Sequence, residues 1–211
     1  MTLDARLQHG LAELGLDLPP EAVNRLLAYL ALLKKWNATY NLTAIRDEDQ
    51  MLVQHLLDSL SVLPVLEKSA LAGRRWADVG SGAGLPGIPL AIACPEVAMS
   101  LVEAVEKKTV FQRQAKIELG LANLTVVGGR VEQLPAGGFD AVISRAFASL
   151  ADFVGLAGHL PGPHGKLYAM KGRLPQDEIE QLPAAWRVLE NASLHVPGLD
   201  AQRCLIVLQK D

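Results

Sequence analysis

The sequence predicts an α/β fold: a seven-stranded, mostly parallel sheet ending in an antiparallel hairpin, preceded by a layer of helices. Three observations carry this. From about Arg74 onward, short apolar runs alternate with helical patterns, the texture of a sheet covered on both faces. Before that point the apolar residues recur at helical spacing only. The last two apolar runs flank the turn signal Pro197-Gly198, so one of them is expected to run against the rest. With 211 residues, half of them hydrophobic, the chain can fill one sizeable core but hardly two domains of ordinary size. The expectation is a single domain over 1–211, in which a helical extension, 1–70, packs on a core, 71–211.

Taken in order, Leu3, Leu7, Leu11 and Leu14 mark a first helix. Pro19-Pro20-Glu21 is a start signal for a second, whose stripe runs through Val23, Leu26, Leu27, Leu30, Leu33 and Trp36. A third stripe, Leu52, Val53, Leu56, Leu57, Leu60 and Leu63, follows the acidic "RDEDQ", which suits a helix N-terminus. Asn37, Tyr40 and Asn41 read as a polar loop between helices. Strands are expected at Arg75–Val79, Met99–Val102, Leu124–Val127, Ala141–Ser144, Lys166–Met170, Ser193–Val196 and Cys204–Gln209. Helices fit between most of them, at Ile88–Ala93, Lys107–Leu119, Leu150–His159 and Gln176–Leu182.

Composition excludes several classes. The first residues lack the apolar run of a signal peptide, and no stretch approaches the roughly 20 apolar residues of a membrane span. Cys94 and Cys204 are far apart and lack metal-ligand spacing, so the expectation is two reduced thiols, no metal and a cytoplasmic protein. A net charge of −3 gives no bulk attraction to nucleic acid, so such a partner must be recognised through local Lys and Arg clusters.

The chemistry is concentrated in "WADVGSGAGLPGIP", Trp76 to Pro89. From Asp78 it reads D-x-G-x-G-x-G, the turn of S-adenosylmethionine enzymes; from Gly82 it reads G-x-G-x-x-G, the dinucleotide fingerprint. The strand ends at Val79, so Gly80 is the first turn glycine, Gly82 the second, and a dinucleotide site would need a third glycine where Leu85 stands. The register therefore favours S-adenosylmethionine. Glu103, at the end of the second strand, is placed to accept ribose hydroxyls.

Several segments carry a closer match: "DVGSGAGLPGIPLAI", "VEAVEKKTVFQRQ", "GGRVEQLP", "VISRAFASL" and "MKG", preceded by "KWNATYNLTAI" and "HLLDSL". Together they resemble the ribosomal RNA small subunit methyltransferase G family, also called glucose-inhibited division protein B, over nearly the whole chain. The resemblance implies a class I, Rossmann-like fold and methyl transfer from S-adenosylmethionine to N7 of a guanine in small-subunit (16S) ribosomal RNA. It implies cofactor contacts at Gly80, Leu85, Val131, Glu132 and Arg145. Gly82 and Glu103 join them from the general fold.

A purine N7 already holds its lone pair, so no general base is required. The segment after the fourth strand agrees by omission: "SRAF", Ser144 to Phe147, holds neither the Asn/Asp-Pro-Pro-aromatic tetrad of amine methylation nor a cysteine nucleophile. No acid or base is assigned, and catalysis is expected to be positioning. Arg145 has three open roles: gripping the methionine carboxylate, bonding guanine O6, or a structural ion pair with Asp78 or Glu103. Phe147 is open between base stacking and core. Lys171 and Arg173, just after the fifth strand, are the expected phosphate contacts, with Lys107 a further RNA candidate. His55 and Asp58 lie one helical turn apart and stay open between a role at the cofactor turn or RNA and an ordinary surface pair. The expected partner is small-subunit ribosomal RNA, with the protein a monomer.

Overall fold

The computed structural model describes residues 1–66, 71 and 74–211. The expected boundary at residue 70 abuts 67–70 and 72–73, which lie outside the described residues. Thr2 opens α1 (Leu3–Glu13) by accepting the Ala5 N–H on its hydroxyl, an N-cap. Pro20 stands at the first position of α2 (Pro20–Tyr40), where its missing N–H costs nothing. Leu26, Tyr29, Leu30 and Leu33 are fully buried on the inner face of α2, each contributing about 2 kcal/mol by leaving water. Asn37 and Tyr40 lie within this helix rather than in a loop, and Asn41 caps it in the left-handed conformation, φ 49°. The third helical stripe forms a continuous run: α3 (Glu48–Met51) opens on an Asp47 cap, a π-helical stretch follows (Leu52–Leu57), and α4 (Asp58–Leu60) closes it.

The core is a seven-stranded sheet: β1 (Arg75–Val79), β2 (Ala98–Glu103), β3 (Leu124–Gly128), β4 (Phe139–Ser144), β5 (Pro161–Lys171), β6 (Trp186–Ser193) and β7 (Cys204–Lys210), in the order β3-β2-β1-β4-β5-β7-β6. The first five pair parallel, while β7 is antiparallel to both β5 and β6. The expected hairpin is present, but its first strand is Trp186–Ser193 and not Ser193–Val196. The connection 194–203 instead tucks Leu194 and Val196 into the core, 5% and 4% exposed.

Side chains alternate between the faces, as strand geometry dictates. Trp76, Leu101, Ile143 and Tyr168 meet the N-terminal helices, α5 (Gly87–Ala93) and α6 (Glu106–Glu118). Ala77, Val142, Leu167 and Ile206 meet α7 (Leu150–Ala157), with α8 (Gln176–Glu180) at its margin. The chain runs outward from β1 to β3 and then returns to place β4 on the other flank of β1. The loops leaving β1 and β4 therefore diverge, opening a crevice at the carboxyl ends of these strands, where open α/β sheets bind ligands. Among the described residues, no helix is long and apolar enough to cross a membrane.

Candidate active site

The turn after β1 is built by residues that tolerate a left-handed backbone: φ is +69° at Gly80, +59° at Gly82 and +87° at Gly84. Gly80 and Ser81 both direct their N–H to the Val102 carbonyl, at 2.9 and 3.3 Å. Glu103, 6% exposed, accepts the Gly82 N–H on one oxygen and the Val105 N–H on the other, both at 2.8 Å. Each oxygen keeps a second lone pair for a further donor. Gly87 has a packing role: a Cβ there would overlap Leu101 and sit 2.8 Å from Asp78 Oδ2, the same oxygen that accepts the Gly87 N–H at 2.7 Å. Burial raises the Asp78 carboxyl to about 7, and its other oxygen has no partner.

The helical layer forms the opposite wall of a cavity of about 200 Å³ over this turn, lined by Leu42, Thr43, His55, Gly80, Gly82, Leu85 and Arg145 among others. Asn37 shapes that wall, its amide nitrogen donating to Ile45 O at 3.0 Å and its oxygen accepting the Thr43 N–H at 2.9 Å. His55 contacts Thr43 Oγ1 at 2.9 Å through Nε2 and Gln54 O at 3.1 Å through Nδ1. A proton on Nδ1 satisfies both contacts. Burial, then the nearby Arg145, lowers the imidazole to about 4, so it is neutral at neutral pH.

Arg145 leaves β4 at the crevice and gives Nη1 to Asp58 Oδ2 at 2.7 Å and to Gln54 O at 3.0 Å. Its acidic partner is thus Asp58, not Asp78 or Glu103. The other Asp58 oxygen accepts Arg203 Nε at 2.8 Å, so one carboxylate, 1% exposed, holds two guanidinium groups. Gln54, His55, Asp58, Arg145, Lys171 and Arg203 line a second cavity of about 370 Å³. A third, about 710 Å³, extends from Arg145 past Phe147 and Lys171 to Arg173 and Glu178. All three cavities share Arg145, which joins them into one cleft.

The chain as a whole is similar to known proteins. A family model described as rRNA small subunit methyltransferase G matches residues 22–207. A protein of that name from Aromatoleum aromaticum is 57% identical over 212 residues, covering 98% of this chain and 99% of that one. Another from Neisseria meningitidis serogroup C is 53% identical over 205 residues, covering 97% of each. The chain belongs to the rRNA small subunit methyltransferase G family. Solved structures agree on the fold: a SAM-dependent methyltransferase from Aquifex aeolicus has a TM-score of 0.57 at 17% identity, covering 77% of this chain and 93% of that one. A 16S rRNA adenine-N1-methyltransferase from Catenulisporales acidiphilia has a TM-score of 0.54 at 19% identity, covering 67% and 86%. The class I, Rossmann-like methyltransferase fold follows.

Within this family member the cleft gathers Gly80, Gly82, Leu85, Arg145, Phe147, Lys171 and Arg173 from the expected set. Glu103 stands behind the turn. Val131 and Glu132 form a 3₁₀ turn after β3 and line none of the three cavities; Gly129, just before them, bonds the Glu103 carbonyl at 3.0 Å. Lys107 spends one donor on the Tyr40 carbonyl at 2.9 Å, tying α6 to the end of α2. Phe147 is half-buried and stacks on Phe153 with centroids 5.0 Å apart. The Lys171 ammonium meets Phe147 O, Ala148 O and Glu178 Oε2 at 3.3, 3.0 and 2.9 Å. Arg203 and Gln112 were not read as site residues from the sequence. Gln112, fully buried on α6, donates to Ser81 Oγ and Gly82 O, both at 2.8 Å, and so braces the glycine turn.

Proposed function

We propose that this protein transfers the methyl group of S-adenosylmethionine directly to N7 of a specific guanine in small-subunit (16S) ribosomal RNA, acting as a cytoplasmic monomer on RNA held within a ribosomal particle. The observation that carries this reading is the shared Arg145, which joins a cavity over a glycine turn to a larger cleft rimmed by an aromatic ring and cations. The residues suit the cofactor. Gly80 and Gly82 carry no side chain to block close approach, Glu103 retains acceptor capacity for ribose hydroxyls, and Leu85 offers an apolar wall. Val131 and Glu132 would complete the adenosine side. When bound, S-adenosylmethionine supplies an electrophilic methyl group.

The chain's own residues bind, orient and exclude water. N7 carries its lone pair and needs no base. His55, the imidazole beside the turn, has both nitrogens engaged. Arg145 keeps Nε and Nη2 for substrate; bonding guanine O6 leaves N7 open for attack. The Phe147 ring offers a stacking face, and Arg173, which has no acidic partner among the described residues, offers charge to phosphate.

The test is incubation with labelled S-adenosylmethionine and either small subunits or naked 16S RNA, followed by nucleoside analysis. Label in 7-methylguanosine is the expected result, and label in another nucleoside or in none overturns the reading. Arg145→Ala is expected to lower turnover at least about 10²-fold. Arg173→Ala is expected to lower the salt slope of RNA binding by about one.

A further inference from the structure

We propose that Lys171 and Glu178 form a latch that positions the Arg145–Phe147 segment against the substrate, and that Lys171 does not contact RNA. The inference rests on the function proposed above and adds two positioning residues to it. An ammonium has three donors, and all three of Lys171's are directed at protein: the carbonyls of Phe147 and Ala148 and the carboxylate of Glu178. Its side chain is only 13% exposed, so a phosphate would have to displace one of these partners.

The partners explain what the latch holds. Two are backbone carbonyls of the segment that leaves β4 with Arg145. The third, Glu178 on α8, also accepts the N–H of Leu150, the first residue of α7, on the same oxygen at 2.7 Å. One ion pair therefore ties the end of β5, the β4–α7 segment, the start of α7 and α8 together around the 710 Å³ cavity. Apart from Ser149, which caps α7 by accepting the Asp152 N–H at 3.0 Å and the Phe153 N–H at 3.1 Å, the other ties on this segment among the described residues are few: Ala146 N–H to Ser144 Oγ at 3.1 Å, and Phe147 against Phe153. Asp58 pins the guanidinium of Arg145. Lys171 pins the backbone two and three residues on, and both anchors are needed to fix where Arg145 points.

The test compares Lys171→Met and Glu178→Ala with the parent, using unmethylated small subunits as substrate at a temperature where all three are folded. Both variants are expected to lose at least about 10-fold in kcat, since misplacement by 1 Å can cost 10²-fold. Their affinity for S-adenosylmethionine and the salt slope of RNA binding are expected to match the parent. The double variant is expected to lose little more than either single one. A salt slope lowered by about one in Lys171→Met, with kcat retained at saturation, would make Lys171 a phosphate contact and overturn the latch. Unchanged kcat in both folded variants overturns it too. Amide exchange at 146–150 does not depend on activity: faster exchange in both variants supports the latch, and parent-like exchange refutes it. Absence of 7-methylguanosine from the parent reaction would overturn the functional reading instead, leaving the exchange result to decide the latch.

Discussion

Removing the Asp58 carboxylate is expected to weaken the protein and the site together. Asp58→Ala deletes charge-assisted hydrogen bonds to Arg145 at 2.7 Å and Arg203 at 2.8 Å, from a position only 1% exposed. Each such bond contributes about 1.5–3 kcal/mol. The two arginine side chains are 26% and 25% exposed, so each can recruit water once the carboxylate is gone. The lower end of the range therefore applies, giving a loss of about 3 kcal/mol in total. For a domain of this size that is a fall in Tm of about 6–12 °C. Asp58→Asn keeps an acceptor but not the charge, and is expected to fall between the parent and Asp58→Ala. The assay is thermal unfolding by circular dichroism, paired with kcat at a temperature below both transitions. A Tm within about 2 °C of the parent together with parent-like kcat would show that the two arginines do not depend on Asp58.

Three further outcomes are expected. Gly87→Ala forces a methyl into Leu101 and toward Asp78, and should cost about 1–3 kcal/mol by urea unfolding, whereas Gly155→Ala in α7, with nothing within 4 Å, should gain about 0.5–1 kcal/mol. Glu103→Ala strips the acceptor from the Gly82 and Val105 N–H groups and should weaken S-adenosylmethionine binding about tenfold by calorimetry. The third concerns pH. Asp78, raised to about 7, holds its proton in the folded state where the unfolded chain has lost it, so its contribution to stability falls as pH rises from about 4 to 7. His55, lowered to about 4, is protonated more readily when unfolded, so its contribution falls as pH drops from about 6.5 to 4. The two oppose each other, and Asp78→Asn should expose the histidine. Relative to the parent, the variant should gain about 1.4 kcal/mol per pH unit between pH 4.5 and 6.5 in urea unfolding. A pH-independent gap between the two proteins would refute the assignment.

Where neighbouring residues decide a feature, the sequence was enough. The glycine turn, Glu103 at the end of β2 and the boundaries of β1 are local, and register alone separated the two readings of "GSGAGLPG". The strand β6 was misplaced because it is an edge: "WRVLENAS" is mostly exposed and lacks an apolar run, while Leu194 and Val196 in the following connection are buried and imitate one. The charge cluster was hidden for a different reason. Asp58, Arg145 and Arg203 lie 87 and 145 positions apart, and no spacing rule links a helix in the N-terminal layer to residues beside β4 and β7. The surroundings of Lys171 were equally hidden, because a lysine at a strand end carries no local sign that the Phe147 and Ala148 carbonyls and Glu178 will surround it.

The order of strands also governs how the sheet can be completed. β6 emerges during synthesis before β7, yet β7 must take the place between β5 and β6. Until it does, the flank of β5 is open and β6 is the first strand available to fill it. The two are written differently enough to settle that competition: β7, "CLIVLQK", buries five consecutive residues, whereas β6 exposes most of its side chains and gains little from a central position. The polar character that hid β6 from a pattern search thus keeps it from occupying a berth reserved for a strand not yet made.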